Sequence, residues 1–115
     1  MQLPPAVIVF GLGDALAALA PGRAVTLLSA PGAGLFAGCL WWQRMIAAAR
    51  AVHPGTECVD ILDCADGTTQ ALAALRIGVN RLVLWETAPG REAAVAIAGT
   101  QGGFVLAQPP RLMLL

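Results

Sequence analysis

Apolar runs of four or five residues recur along the chain. Each ends in a loop rich in glycine, proline and acidic residues, and all but the last lead into an Ala- and Leu-rich stretch. The runs are Ala6–Phe10, Ala24–Leu28, Cys58–Leu62 and Leu82–Trp85, and Phe104–Ala107 closes the series. The first of these runs, Ala6–Phe10, is continuous and without polar alternation, which fits a parallel strand covered on both faces. The stretches between the runs predict helices over about Ala15–Ala20, Leu35–Val52, Gly67–Ile77 and Arg91–Ala98. In the longest, Leu35, Cys39, Trp42, Ile46 and Ala49 fall on one face, and Phe36, Leu40, Trp41, Met45 and Ala48 widen the apolar surface beyond an ordinary stripe.

Strand–helix alternation repeated four times and closed by a strand predicts an α/β fold. The expected architecture is a three-layer, doubly wound, mostly parallel five-stranded sheet of the flavodoxin or Rossmann-like kind. A half-barrel of four βα units is the second topology, and it would need another half to close. At 115 residues the chain is expected to be one domain.

Composition adds an expectation about partners. The chain is 57% hydrophobic and only 12% charged, so part of its apolar surface is expected to be hidden in a homodimer or higher oligomer. Trp41 and Trp42 point about 100° apart around a helix, so both can hardly face one sheet. Trp41, Trp42 and Met45, with Leu112 and Leu114 of the apolar tail, are the expected interface. Pro109-Pro110 breaks the chain before that tail, which should pack on the core or a second subunit, or add an edge strand.

Net charge is zero, with seven basic residues against seven acidic ones. That balance gives no bulk attraction to nucleic acid or to an anionic membrane. No membrane association is expected either from Ala24–Gln43, because Pro31, Gly32 and Gly34 interrupt that uncharged stretch. The basic residues are all arginine, which removes Schiff-base chemistry and the lysine of a Walker-type phosphate loop. Three cysteines without a secretory signal point to reduced thiols and a cytoplasmic location.

In parallel α/β sheets, ligands bind at the loops after the strands. Gly11-Leu-Gly13-Asp14 resembles the start of a dinucleotide fingerprint, but Leu16 stands where the third glycine belongs, and no acid follows about twenty residues on. A tight turn, with Asp14 capping the helix, is the plainer reading. Ser29-Ala-Pro-Gly32-Ala-Gly34 precedes the longest helix, whose N-terminus would favour a phosphate or carboxylate, with Ser29 adding a hydroxyl. An ordinary strand–helix connection is the competing reading.

Asp63-Cys64-Ala-Asp66-Gly67-Thr68-Thr69 is the loop richest in reactive groups. Asp63, joined by Asp14 or Glu86, would be able to hold Mg²⁺ or act as acid and base. Asp66 reads more simply as a helix N-cap. Cys64 has acids beside it and no histidine within reach, which opposes a nucleophilic role. Asp60, inside a strand pattern, should lie at an edge or pair with an arginine.

The favoured expectation is a module binding a small anionic molecule through Gly11, Gly13, Ser29, Gly32, Gly34, Asp63 and Thr68. The alternative is a structural or interaction protein acting through the long helix and the tail. A carboxylate- and magnesium-dependent enzyme ranks third. No cofactor is assigned.

Overall fold

A computed structural model describes residues 2–113 of the chain. Five strands and five helices follow in the order β1 (Ala6–Val9), α1 (Leu12–Leu19), β2 (Val25–Ser29), α2 (Ala33–Phe36), α3 (Cys39–Val52), β3 (Cys58–Asp63), α4 (Thr68–Arg76), β4 (Arg81–Val83), α5 (Arg91–Thr100) and β5 (Phe104–Leu106). All strand pairs are parallel. The α/β class and the five-stranded parallel sheet are therefore as the sequence predicts.

The layering differs from the doubly wound expectation. Strand order is β1-β2-β3-β4-β5, without the reversal that sends helices to both faces. The helices that connect the strands lie on one side, packed in sequence as α1 on α3, α3 on α4 and α4 on α5. The main core joins Val9, Leu27, Leu62, Leu82 and Leu84 of the strands and their exits to Leu19, Trp42, Ile46, Leu75 and Ala98 of the helices. The other face carries a smaller cluster of Leu28, Ile61 and Val83, flanked by Leu3, Ile8, Val59, Phe104 and Leu106, and no helical residue belongs to it. Crossovers of one hand that always step in the same direction leave every helix on the same face. That is the order of the half-barrel topology.

The C-terminal tail shows that this sheet is curled. Leu112 pairs in parallel with Ala6, and the Met113 N–H donates to the Ala6 carbonyl at 2.7 Å. The tail thus adds a short edge pairing beside β1, one of the outcomes expected for it. Six residues lead there from Leu106 of β5, a reach of at most about 22 Å. In a flat sheet, the five inter-strand steps alone would separate the two by about 24 Å. Twist leaves that lateral span unchanged, so the sheet edges must bend toward each other.

The helix expected over Leu35–Val52 is broken in two. Gly38, at φ 86° and ψ 159°, separates α2 from α3, a conformation open essentially to glycine alone. Trp42 and Met45 are 0% and 7% exposed and belong to the core, so they are not the surface residues the sequence reading expected. Trp42 shares its helix face with Ile46 and Ala49, also buried, while Trp41 remains 36% exposed. Leu114 lies outside the described residues.

Candidate functional site

The loops leaving the C-terminal ends of the strands gather at one pole of the molecule. Every residue expected there at the sequence level is indeed at that pole, but most of their polar groups are already engaged. Ser29 is fully buried; its hydroxyl donates to the Ala30 carbonyl at 3.1 Å and accepts the Asp63 N–H at 2.9 Å. It is a clasp between β2 and β3 rather than a free hydroxyl. Asp63, 2% exposed, accepts the Ala65 N–H on Oδ1 at 2.8 Å. That bond fixes the turn in which Ala65 takes a left-handed φ of 49°. The Thr68 hydroxyl donates to the Pro89 carbonyl, tying the third loop to the fourth.

The glycines serve packing and turns. A Cβ on Gly34 would stand 2.7 Å from Cys64 Sγ and 3.1 Å from the Asp63 carbonyl oxygen, so only glycine lets this loop lie against the end of β3. Gly32 enters α2 at φ 71°. Gly11 and Gly13 have open space where a Cβ would point, so neither allows the close backbone approach that gives a dinucleotide fingerprint its meaning. The loop from Ser29 to Gly34 opens into the four-residue α2, not the long helix, and therefore lacks the helix N-terminus on which the anion expectation rested.

The acids are likewise separated by role. Asp14 accepts the Phe10 N–H at 2.9 Å, reaching back across the start of α1 as a capping residue does. Asp66 is not the N-cap: Gly67 holds that position, without a side-chain cap, and Asp66 is exposed. Glu86 is exposed as well. Among the described residues, no three His, Cys, Asp or Glu side chains are grouped to hold a metal ion. The Cys64 thiol is pushed up to about 12, first by burial, then by the nearby charges of Asp63 and Cys39. It therefore stays protonated and poorly nucleophilic at neutral pH.

Beside the exposed acids, the pole carries many exposed apolar side chains. Seven of the thirteen exposed large hydrophobic residues among those described lie here: Phe10 and Leu12 after β1, Leu35, Phe36, Leu40 and Trp41 after β2, and Trp85 after β4. Phe36 and Phe10 are the most open, at 73% and 67%. Leu35 lies across Gly67 of the third loop, where an added Cβ would strike its Cδ2, so the second and third loops form one surface. In the sequence, Phe36 and Leu40 fall on a broad apolar helix face, and helical spacing alone does not identify this pole as their common location. The signal available was the run of large apolar residues at the loop–helix boundaries.

Sequence reading also missed Arg91. Its Nε donates to the Leu84 carbonyl at 2.8 Å and its Nη2 to the Val105 carbonyl at 3.3 Å, joining the exits of β4 and β5. Comparison with protein-family models, curated proteins and solved structures finds no match to this chain.

Proposed function

We propose that this protein is an interaction module that associates with a second copy of itself through the apolar pole at the strand C-termini. The observation that carries this reading is the clustering of Phe10, Leu12, Leu35, Phe36, Leu40, Trp41 and Trp85 there. Taking about 200 Å² for a fully exposed large apolar residue, these seven present on the order of 700 Å². A stable interface takes about 800 Å² from each partner, so the patch is near the required size before its backbone and small residues are counted. A chain only 12% charged has few other means of keeping such a surface apart from its neighbours. Exposed aromatic residues at the centre of a patch supply most of the affinity in such contacts. Commitment of Ser29, Asp63 and Thr68 to internal bonds favours this reading over an anion site at the same loops.

Sedimentation velocity over a concentration series tests the proposal. The wild-type chain should show a dimer that dissociates on dilution. Phe36→Ser and Phe10→Ser should each weaken it by about thirtyfold or more, the scale of a central aromatic contact. Asp14, Asp66 and Glu86 are also exposed at this pole, so added salt should tighten the dimer by screening them. A wild-type chain that stays monomeric at all concentrations contradicts the proposal, as does a dimer indifferent to both substitutions.

A further inference from the structure

The opposite pole carries a charged cluster in a different setting. Strand alternation puts Cys58, Asp60 and Leu62 of β3 on the helix-bearing side. Asp60 thus meets α3 and the start of β4, with a side chain only 15% exposed. A carboxylate so placed needs a counter-charge, and it has two. Arg50 Nη2 lies 2.7 Å from Asp60 Oδ1, and Arg81 Nη1 lies 3.5 Å from the same oxygen. These groups line a cavity of about 270 Å³ between α3 and the loop before β4.

The charges do not balance. Two guanidiniums face one carboxylate, and no other charged side chain among the described residues lines the cavity. The two amides on its wall donate elsewhere, Gln43 to the Ile77 carbonyl and Asn80 to the Gln101 carbonyl. Arg50 gives Nη2 to Asp60 and to the Cys58 carbonyl. Arg81 has only its long contact to Asp60 among the described residues. Each guanidinium carries five N–H donors in a planar fork, so most of the donors have no protein acceptor.

We propose that Arg50 and Arg81 form a binding site for the carboxylate group of a small monoanionic molecule. The net charge of the cluster selects that class. One added negative charge neutralises it, whereas a dianion would overshoot and be repelled by Asp60. Planar forks also suit a carboxylate. Burial works against the charge on Arg50, but the hydrogen bond and charge of Asp60 outweigh it and raise its pKa above the ordinary arginine value. The cavity has the volume of about nine water molecules in the liquid, enough for a carboxylate on a body of a few heavy atoms. Both arginine side chains are about two-fifths exposed, so a simple anion should bind weakly, on the order of millimolar.

The test follows the seven arginine Nε–H resonances by NMR while acetate or sulfate is added at constant ionic strength. Arg50 and Arg81 should respond saturably to acetate, and Arg23, Arg44, Arg76, Arg91 and Arg111 should not. Sulfate should bind no better than acetate to the wild-type chain. Asp60→Asn keeps the side-chain shape and removes the opposing charge, so it should bind both anions at least about threefold more tightly and reverse the preference toward sulfate. Arg81→Gln should abolish the response while the melting temperature without anion shows that the chain is folded. A uniform shift of all seven arginines would show only an ion atmosphere and overturn the proposal. Absence of any saturable response would overturn it, and so would an Asp60→Asn variant with unchanged preference. The site lies at the pole opposite the proposed dimer face, so loss of one reading leaves the other standing.

Discussion

Replacing Trp42 by Phe should leave stability nearly unchanged, although Trp42 is the largest fully buried side chain among the described residues. Its indole Nε1–H has no hydrogen-bond partner among the described residues. A buried donor left unpaired costs about 1–3 kcal/mol, a penalty the native chain already bears and the Phe variant does not. Against that relief stands the smaller ring. Phe leaves a space roughly 40 Å³ larger, which at about 24 cal/mol per Å³ costs about 1 kcal/mol. The apolar area lost, on the order of 50 Å², costs about as much again at 25 cal/mol per Å². The opposing effects are of equal size, so the net change should fall within about 1 kcal/mol of zero. Trp42→Ala removes the whole ring and should cost about 3–5 kcal/mol. Urea unfolding followed by circular dichroism measures both, with an unchanged m-value showing that the same surface is exposed. A Phe variant destabilised by more than about 3 kcal/mol would refute the reasoning. It would mean that the indole N–H is satisfied and contributes stability.

Two other substitutions test the loops. Gly34→Ala places a Cβ against Cys64 Sγ and against backbone atoms of Asp63 and Cys64, so it should cost about 1–3 kcal/mol by overpacking, read as a lower urea midpoint. The raised Cys64 pKa makes stability depend on alkaline pH. The folded thiol holds its proton up to about 12 against a reference value of 9.0, so the unfolded chain loses it first. The contribution is complete below pH 9 and declines as pH rises toward 12, by about 1.4 kcal/mol per unit. Unfolding free energies measured across that range should show the slope in the wild-type chain and lose it in Cys64→Ala.

The five strands were legible because each is an apolar run bounded by glycine, proline or acidic residues, and β1, β2 and β3 begin and end within about one residue of those runs. Strand order was not legible. A strand that adds to either edge of a growing sheet has the same apolar pattern, and only long-range contacts decide which edge it takes. Helix phase was more legible than the conclusion drawn from it. The stripe places Trp42 on one face with Ile46 and Ala49, but both Trp41 and Trp42 were expected at the interface, and only Trp41 stays exposed while Trp42 is buried. Gly38 was the missed break, a glycine inside an apolar stretch that also satisfied helical spacing. Asp60 was readable as a charge inside a strand, to be met by an edge position or an arginine, but its two arginine partners come from ten residues before and twenty-one after. The glycine loops suggested a ligand because loops that cradle an anion and loops that merely turn tightly draw on the same residues. Only the folded structure shows that Ser29 and Thr68 use their hydroxyls in internal bonds and that Gly34 is required by Cys64.

The most direct measurement is an isotope-filtered NOE experiment on a mixture of labelled and unlabelled chains, which reports contacts between copies alone. The account predicts cross-chain contacts from Phe10, Leu12, Leu35, Phe36, Trp41 and Trp85, with none from Trp42 or Met45. Cross-chain contacts confined to α5, to the tail at Leu112 and Met113, or to the helix-free face would contradict it.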